Sequence, residues 1–164
     1  ICTGGKIERN KKIDLLMKAV EGLEGIKLVV FGNVAEDYKN EINNAMNSNV
    51  IMLGWQDTKH INDIFLSSDL AVFPGQHSVL WEQACACKLP CVFAYWNGMS
   101  HLDVGGNCKF IKDVNTSELR TSICSCINSS ENEKMKKVAE SKRTDVFSYR
   151  NIALKSLETV KGKF

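Results

Sequence analysis

The sequence predicts an open, doubly wound α/β domain: a parallel, Rossmann-like sheet with helices on both faces. Three observations predict it. Short apolar runs alternate with stretches of helical periodicity along the 164 residues. The runs are continuous rather than alternating, as in Leu28-Val-Val-Phe31 and Leu70-Ala-Val-Phe73, which suits strands covered on both faces. A glycine lies at or just beyond most of them: Gly5, Gly32, Gly54, Gly75 and Gly98.

The elements follow in order. Ile1–Gly4 reads as a strand, and Asp14–Leu23 as a helix with Leu15, Leu16, Ala19, Val20 and Leu23 on one face. Ile26–Phe31 is a strand stopped by Gly32, and a helix follows near Ala35–Met46. Val50–Leu53 is a strand closed by Gly54, and Asp57 caps a helix carrying Ile61, Ile64 and Phe65. Leu70–Phe73 and Cys91–Ala94 are strands joined by a loop and a helix, and Lys109–Ile111 is a short last strand. Helical stretches at about Thr116–Asn128, Asn132–Ser141 and Arg150–Lys161 close the chain, the last two separated by Asp145-Val-Phe-Ser-Tyr149.

Composition excludes several classes. A net charge of +2 with both signs mixed over Glu131–Lys142 forms no basic stripe, so nucleic acid is not an expected partner. No apolar run approaches the ~20 residues that span a bilayer. The seven cysteines, odd in number and set in apolar segments, read as reduced, cytosolic core thiols. Cys85-x-Cys87-x3-Cys91 matches no zinc spacing, and its first two members face different sides of a helix, so no metal is expected. The chain begins without Met and enters a strand at once, which suggests one domain, residues 1–164, of a longer protein.

In such a sheet, ligands bind at the carboxyl ends of the strands near the topological switch point. The most informative stretch there is Pro74-Gly-Gln-His-Ser-Val-Leu-Trp-Glu82, which runs from a strand through a small polar loop into a helix. Its backbone N–H groups suit a phosphate, and the carboxylate of Glu82 suits a diol. Together they describe a nucleotide. Each residue also has a plainer account: Lys6 and Lys11 as solvated lysines, Glu82 as an acid favoured at a helix start, Ser78 as an N-cap, His77 as a surface histidine, Trp55 as core.

These residues resemble a known pattern. Thr3-Gly-Gly-Lys6-Ile with Asn10-Lys11-Lys12-Ile13-Asp14-Leu15-Leu16, then Leu28-Val-Val-Phe-Gly32, Val50-Ile-Met-Leu-Gly54-Trp55, Ser67-Ser-Asp69-Leu-Ala-Val-Phe-Pro74 and Glu82 with Leu89-Pro90-Cys91-Val92 are similar, in sequence order, to the donor-binding C-terminal domain of GT-B fold glycosyltransferases, the retaining family 4. Phe147-Ser-Tyr149-Arg-Asn-Ile-Ala resembles that family's last helix, here about 149–161, which crosses back toward an N-terminal domain. Two departures stand out. Pro74 lies where many members carry a first glutamate, with Gln76-His77-Ser78 as a shortened loop. Glu82 is also one residue further from Pro90 than usual, so a gapless alignment would put Gln83 in its place.

The resemblance implies a retaining hexosyltransferase that uses a nucleoside-diphosphate sugar as substrate, needs no cofactor, and works in surface polysaccharide, lipopolysaccharide or capsule assembly. Lys6 and Lys11 would stabilise the departing diphosphate, and Glu82 would accept from the ribose hydroxyls. Ser78 and the N–H groups of Ser78 and Val79 would hold the phosphate nearest the sugar, and Gly5 and Gly32 belong to the same nucleotide-sugar site; Gly54, Trp55 and Gln56 would frame the base; Asn97, Gly98 and Met99 would face the transferred sugar, and His77 the sugar or a phosphate. The glycan or lipid-linked acceptor would be met through the N-terminal domain, so the fragment alone is expected to transfer nothing. The location implied is cytoplasmic, peripheral at the inner membrane face for the full-length protein. A UDP-sugar 2-epimerase of the same fold and a non-catalytic α/β interaction module are the alternatives. The first needs acid and histidine groups, and the second an acidic cluster where Lys6 stands.

Overall fold

In a computed structural model, residues 1–127 and 130–161 are described, and they form the expected open parallel sheet. Its strands are β1 (Cys2–Gly4), β2 (Leu28–Phe31), β3 (Val50–Gly54), β4 (Ala71–Phe73), β5 (Cys91–Ala94) and β6 (Cys108–Ile111). Their order is β3-β2-β1-β4-β5-β6, every pairing parallel. The order reverses between β1 and β4, so a crevice opens there at the carboxyl edge.

Both faces are buried over β1, β2, β4 and β5, which explains their continuous apolar runs, whereas the edge strand β3 leaves Ile51 and Leu53 exposed. Leu28, Val30, Val72 and Val92 face one core with Leu16 and Val20 of α1 (Ile13–Val20) and Leu119 and Ile123 of α5 (Thr116–Ile127). Phe31, Phe73 and Phe93 face the other with Phe65 of α3 (Thr58–Leu66) and Trp81 of α4 (Leu80–Ala86). Trp81 is fully buried and stacks on Phe93, with ring centroids 4.3 Å apart and planes 9° from parallel. An aromatic pair of this kind adds about 0.5–1.5 kcal/mol to the area it buries.

Three helices differ from the periodic reading. α1 stops at Val20 rather than Leu23: Glu21 leaves helical geometry and Gly22 follows at φ +70°, and Arg120 then donates to the freed carbonyls of Ala19 and Glu21 at 3.3 and 2.8 Å. The stretch expected as one helix over Ala35–Met46 is a 3-10 turn, Glu36–Tyr38, followed by α2 (Lys39–Asn44). Tyr38 is buried there, and its hydroxyl donates to the Asp14 carboxylate, which fixes the turn against α1. The break expected at Asp145–Tyr149 is a 3-10 turn over Lys142–Phe147, lying between α6 (Ser130–Glu140) and α7 (Tyr149–Lys161). Thr144 anchors that turn by donating to Ala139 O at 2.8 Å. The expected helix end at Asn128 lies outside the described residues, as do residues 162–164.

The Asp57 cap is as expected: its carboxylate accepts from the His60 backbone N–H at 2.9 Å. No described helix is long and apolar enough to cross a membrane.

Candidate functional site

The carboxyl edge is built from close backbone approach. Gly32 has φ +119°, and a Cβ there would lie 1.7 Å from the Gly5 carbonyl oxygen, so only glycine fits. Gly32 N–H donates to Gly54 O at 2.6 Å, and Gly5 N–H to Phe31 O at 2.9 Å, locking the ends of β1, β2 and β3 together. Above them opens a cleft of about 390 Å³, lined by Gly5, Lys6, Gly32 and Asn33 from the first two strand ends. Trp55 and Gln56 close it beyond β3, and Ser78, Val79 and Leu80 close it at the start of α4.

The structure therefore brings seven of the sequence-predicted site residues around one cavity: Gly5, Lys6, Gly32, Trp55, Gln56, Ser78 and Val79. Trp55 is 68% exposed, so it is a wall of the cleft and not a core residue. The Ser78 side chain does not cap α4; the helix begins after Val79 without a side-chain cap, and the Ser78 carbonyl accepts from Trp81 N–H at 3.0 Å. Lys6 is solvent-exposed and pairs with the carboxylate of Glu8, whose hydrogen bond raises the Lys6 pKa above the usual lysine value.

The shortened loop is pinned to the turn before α1. A Cβ on Gly75 would lie 2.2 Å from Asn10 O and 2.3 Å from Lys11 Cα. Gln76 N–H donates to Asn10 O at 3.0 Å, and the Asn10 side-chain amide donates to Gln76 Oε1 at 2.7 Å. Lys11 Nζ donates to the carbonyls of Gln76 and His77 at 2.7 and 3.1 Å, and its partial burial draws its pKa below the usual lysine value. Trp96 Nε1–H donates to Gly75 O at 3.1 Å from the far side. Lys11, paired with Lys6 in the sequence reading, thus holds a loop instead of lining the cleft.

Glu82 and His77 are brought to each other, outside the set that lines the cleft. Glu82 Oε1 is 2.8 Å from His77 Nε2 and 3.8 Å from His101 Nε2. Gln83, the alternative to Glu82, donates to the Tyr149 hydroxyl at 2.6 Å, so it faces the start of α7. Asn97, Gly98 and Met99 lie in the turn after β5, just ahead of a 3-10 turn at Ser100–Leu102 that carries His101. His101 is the residue that sequence reasoning missed. Its signal was faint: Asn107, with its buried side chain bonded to Leu102 O and Val104 N–H, folds Asp103-Val-Gly-Gly106 into a compact turn that fixes it.

The doubly wound sheet, with a cleft at the carboxyl edge beside its switch point, defines an open α/β domain of the class whose members take ligands at that edge. More narrowly, the chain belongs to the family described as glycosyl transferases group 1, whose sequence model matches residues 1–145. No curated protein matches the chain.

Solved structures share its fold. Anabaena HepE, solved with UDP and glucose, superposes with a TM-score of 0.79 at 17% identity, over 98% of this chain and 48% of its own. Sucrose-phosphate synthase from Thermosynechococcus elongatus gives 0.80 at 14%, over 98% and 44%. The catalytic domain of cholesterol-α-glucosyltransferase from Helicobacter pylori gives 0.72 at 15%, over 87% and 94%. The chain thus spans about half the length of the first two.

Proposed function

We propose that this chain is the donor-binding domain of a retaining glycosyltransferase of the GT-B fold, taking a nucleoside-diphosphate sugar as substrate. The observation that carries the reading is the cleft: glycine backbone at β1 and β2, the first turn of α4, one exposed ammonium from Lys6, and an exposed Trp55 with Gln56 at one end. The base would lie by Trp55 and Gln56, and the diphosphate between Lys6 and the N–H groups of Ser78 and Val79. Lys6 would offset the charge on the departing diphosphate, a role that asks for no resident metal or cofactor. HepE, of the same fold, has been solved with UDP-glucose, which supports a UDP- or related sugar donor. Transfer of a hexose to a glycan or lipid-linked acceptor, in surface polysaccharide assembly at the cytoplasmic face, would use a further domain. This chain alone would then bind donor without transferring it.

A thermal-shift screen of UDP, GDP, ADP and CDP, each with and without sugar, tests the reading. A ligand at a hundred times its Kd adds about 2.7 kcal/mol to stability. In a domain of this size that raises Tm by roughly 5–10 °C. Absence of any shift across the panel would remove the assignment.

A further inference from the structure

Three thiols from separate elements meet at one point. Cys85 lies on α4, Cys91 opens β5 and Cys108 opens β6, with Cys91 and Cys108 side by side on the paired strands. Cys85 Sγ is 4.0 Å from Cys91 Sγ and 3.9 Å from Cys108 Sγ. Cysteines that serve only as small apolar residues need no polar partner. Here the buried Asn107 carboxamide donates to Cys108 Sγ at 3.1 Å and reaches Cys85 Sγ at 3.9 Å. Cys91 Sγ faces Leu89 O at 3.1 Å, and Cys108 Sγ faces Leu102 O at 3.3 Å. The sulfurs are therefore oriented as well as packed. All three are free thiols, and of the three Cys108 alone is partly exposed, at the start of the edge strand beside exposed Gly105 and Gly106.

Either of Cys85 and Cys108 can donate the hydrogen bond between them, so the thiolate left by losing one proton is available on both. Donation from Cys108 and Cys91 draws the Cys85 thiol below the usual thiol value, and the same contact with Cys85 holds Cys108 above it. We propose that Cys85 and Cys108 form a dithiol–disulfide couple that hydroperoxides oxidise, with Cys91 as a positioning residue. An oxidant arriving from solvent meets the partly exposed Cys108 first. Its sulfur takes one oxygen of hydrogen peroxide as the O–O bond breaks, giving a sulfenic acid and one water. Cys85 Sγ then attacks Cys108 Sγ: the S–S bond forms, the S–O bond breaks, and hydroxide leaves with the Cys85 proton as a second water. Two electrons pass from the two thiols to one peroxide. Closing the gap from 3.9 Å to a disulfide bond asks each sulfur to move about 1 Å. The bond ties α4, whose first residue Leu80 lines the cleft, to the edge strand β6.

Peptide mapping of this chain tests it: hydrogen peroxide on the folded protein, alkylation of the remaining thiols, then trypsin. The expected product joins peptide 60–88 to peptide 89–109, about 2 Da below the sum of the two reduced peptides. Fragmentation should place the bond at Cys85 and Cys108, and dithiothreitol should remove it. Cys91→Ala should keep the same bond but slow its formation at least about threefold at neutral pH, with the gap closing in alkali where Cys85 ionises unaided. Full alkylation of both Cys85 and Cys108 after peroxide overturns the proposal. So does sulfinic acid at Cys108 without a bond, or a bond made through Cys87, Cys91 or Cys124 in its place. The same mixture of pairings from folded and urea-unfolded chain also overturns it. A pH–rate profile unchanged in Cys91→Ala overturns the part given to Cys91. The mapping is read on the unaltered chain, so it stands if Cys91→Ala does not fold.

Discussion

Gly75→Ala is the sharpest perturbation of the site's framework. The added Cβ would stand 2.2 Å from Asn10 O, 2.3 Å from Lys11 Cα and 2.5 Å from Lys11 C, all backbone atoms that no rotamer change can clear. Real Cβ contacts stay beyond 3.0 Å, so the loop and the turn before α1 must part by at least the 0.8 Å between 3.0 and 2.2 Å. That separation loosens four hydrogen bonds at once: two neutral ones between Asn10 and Gln76, and two from the Lys11 ammonium. Neutral bonds contribute about 1 kcal/mol and charged ones about 1.5–3 kcal/mol, discounted here because water reaches most of them. The expected loss is therefore about 2–4 kcal/mol. At a urea m-value of about 2 kcal/mol/M, the unfolding midpoint falls by about 1–2 M. Lys11→Met supplies the internal check. It should cost about 1.5 kcal/mol in the native background and less than half of that beside Gly75→Ala, because the same bonds are already lost. A midpoint within about 0.3 M of the unaltered chain, or full additivity of the two changes, would refute the reasoning.

Lys6→Ala should weaken binding of the matching nucleoside diphosphate by at least about fivefold, an effect that shrinks with added salt; unchanged calorimetric affinity would take Lys6 out of the site. Asp57→Ala should lower the unfolding midpoint at neutral pH by removing the α3 cap. Backbone and side-chain bonds from His60 hold the Asp57 pKa below its usual 3.8, so its contribution is present above 3.8 and lost as pH falls through the lower, folded value. The gap between the two proteins should accordingly close in acid, as denaturation curves at several pH values would show. Burial pushes the Cys2 thiol up to about 11, leaving about one thiolate in a thousand at pH 8. Iodoacetamide mass mapping should find the half-exposed Cys124 labelled early and Cys2 protected.

The sheet was legible because burial on both faces leaves a direct trace, continuous apolar runs ending at glycine. The crossover helices were legible where one face is apolar, as in α1 with Leu16, Ala19 and Val20. What failed depended on side chains from elsewhere in the chain. The end of α1 was partly legible in Gly22, which takes φ +70°, but nothing near Val20 announces that Arg120, about a hundred residues later, will cap the carbonyls of Ala19 and Glu21. Nothing near Ala35 announces that the Tyr38 hydroxyl will find Asp14. The site divides the same way. Glycines and loop residues that meet through backbone were found by position, as Gly5, Gly32, Ser78 and Val79 were. His101 was not, since its meaning comes only from Glu82, which tertiary packing brings to it across the α4–β5 connection.

The two lysines read as a pair in the sequence cannot do equal work in the fold. Lys11 sits partly buried with its ammonium directed at two carbonyl oxygens, and moving it toward a phosphate would release the loop that places His77 and Ser78. Its charge still contributes to the local potential, but at the fixed distance the loop dictates. Lys6 has the opposite character: exposed, paired with an acid two residues away, and free to exchange that partner at little cost, since exposed ion pairs contribute about 0–1 kcal/mol. On the proposed donor-binding reading, a cation that holds the loop and an exposed one available to a diphosphate are complementary. Lys11→Arg should therefore damage stability more than affinity, because a planar guanidinium cannot reproduce one nitrogen shared by two carbonyls. Lys6→Arg should leave both nearly intact. If the two conservative changes proved indistinguishable in both assays, the division of labour would be wrong.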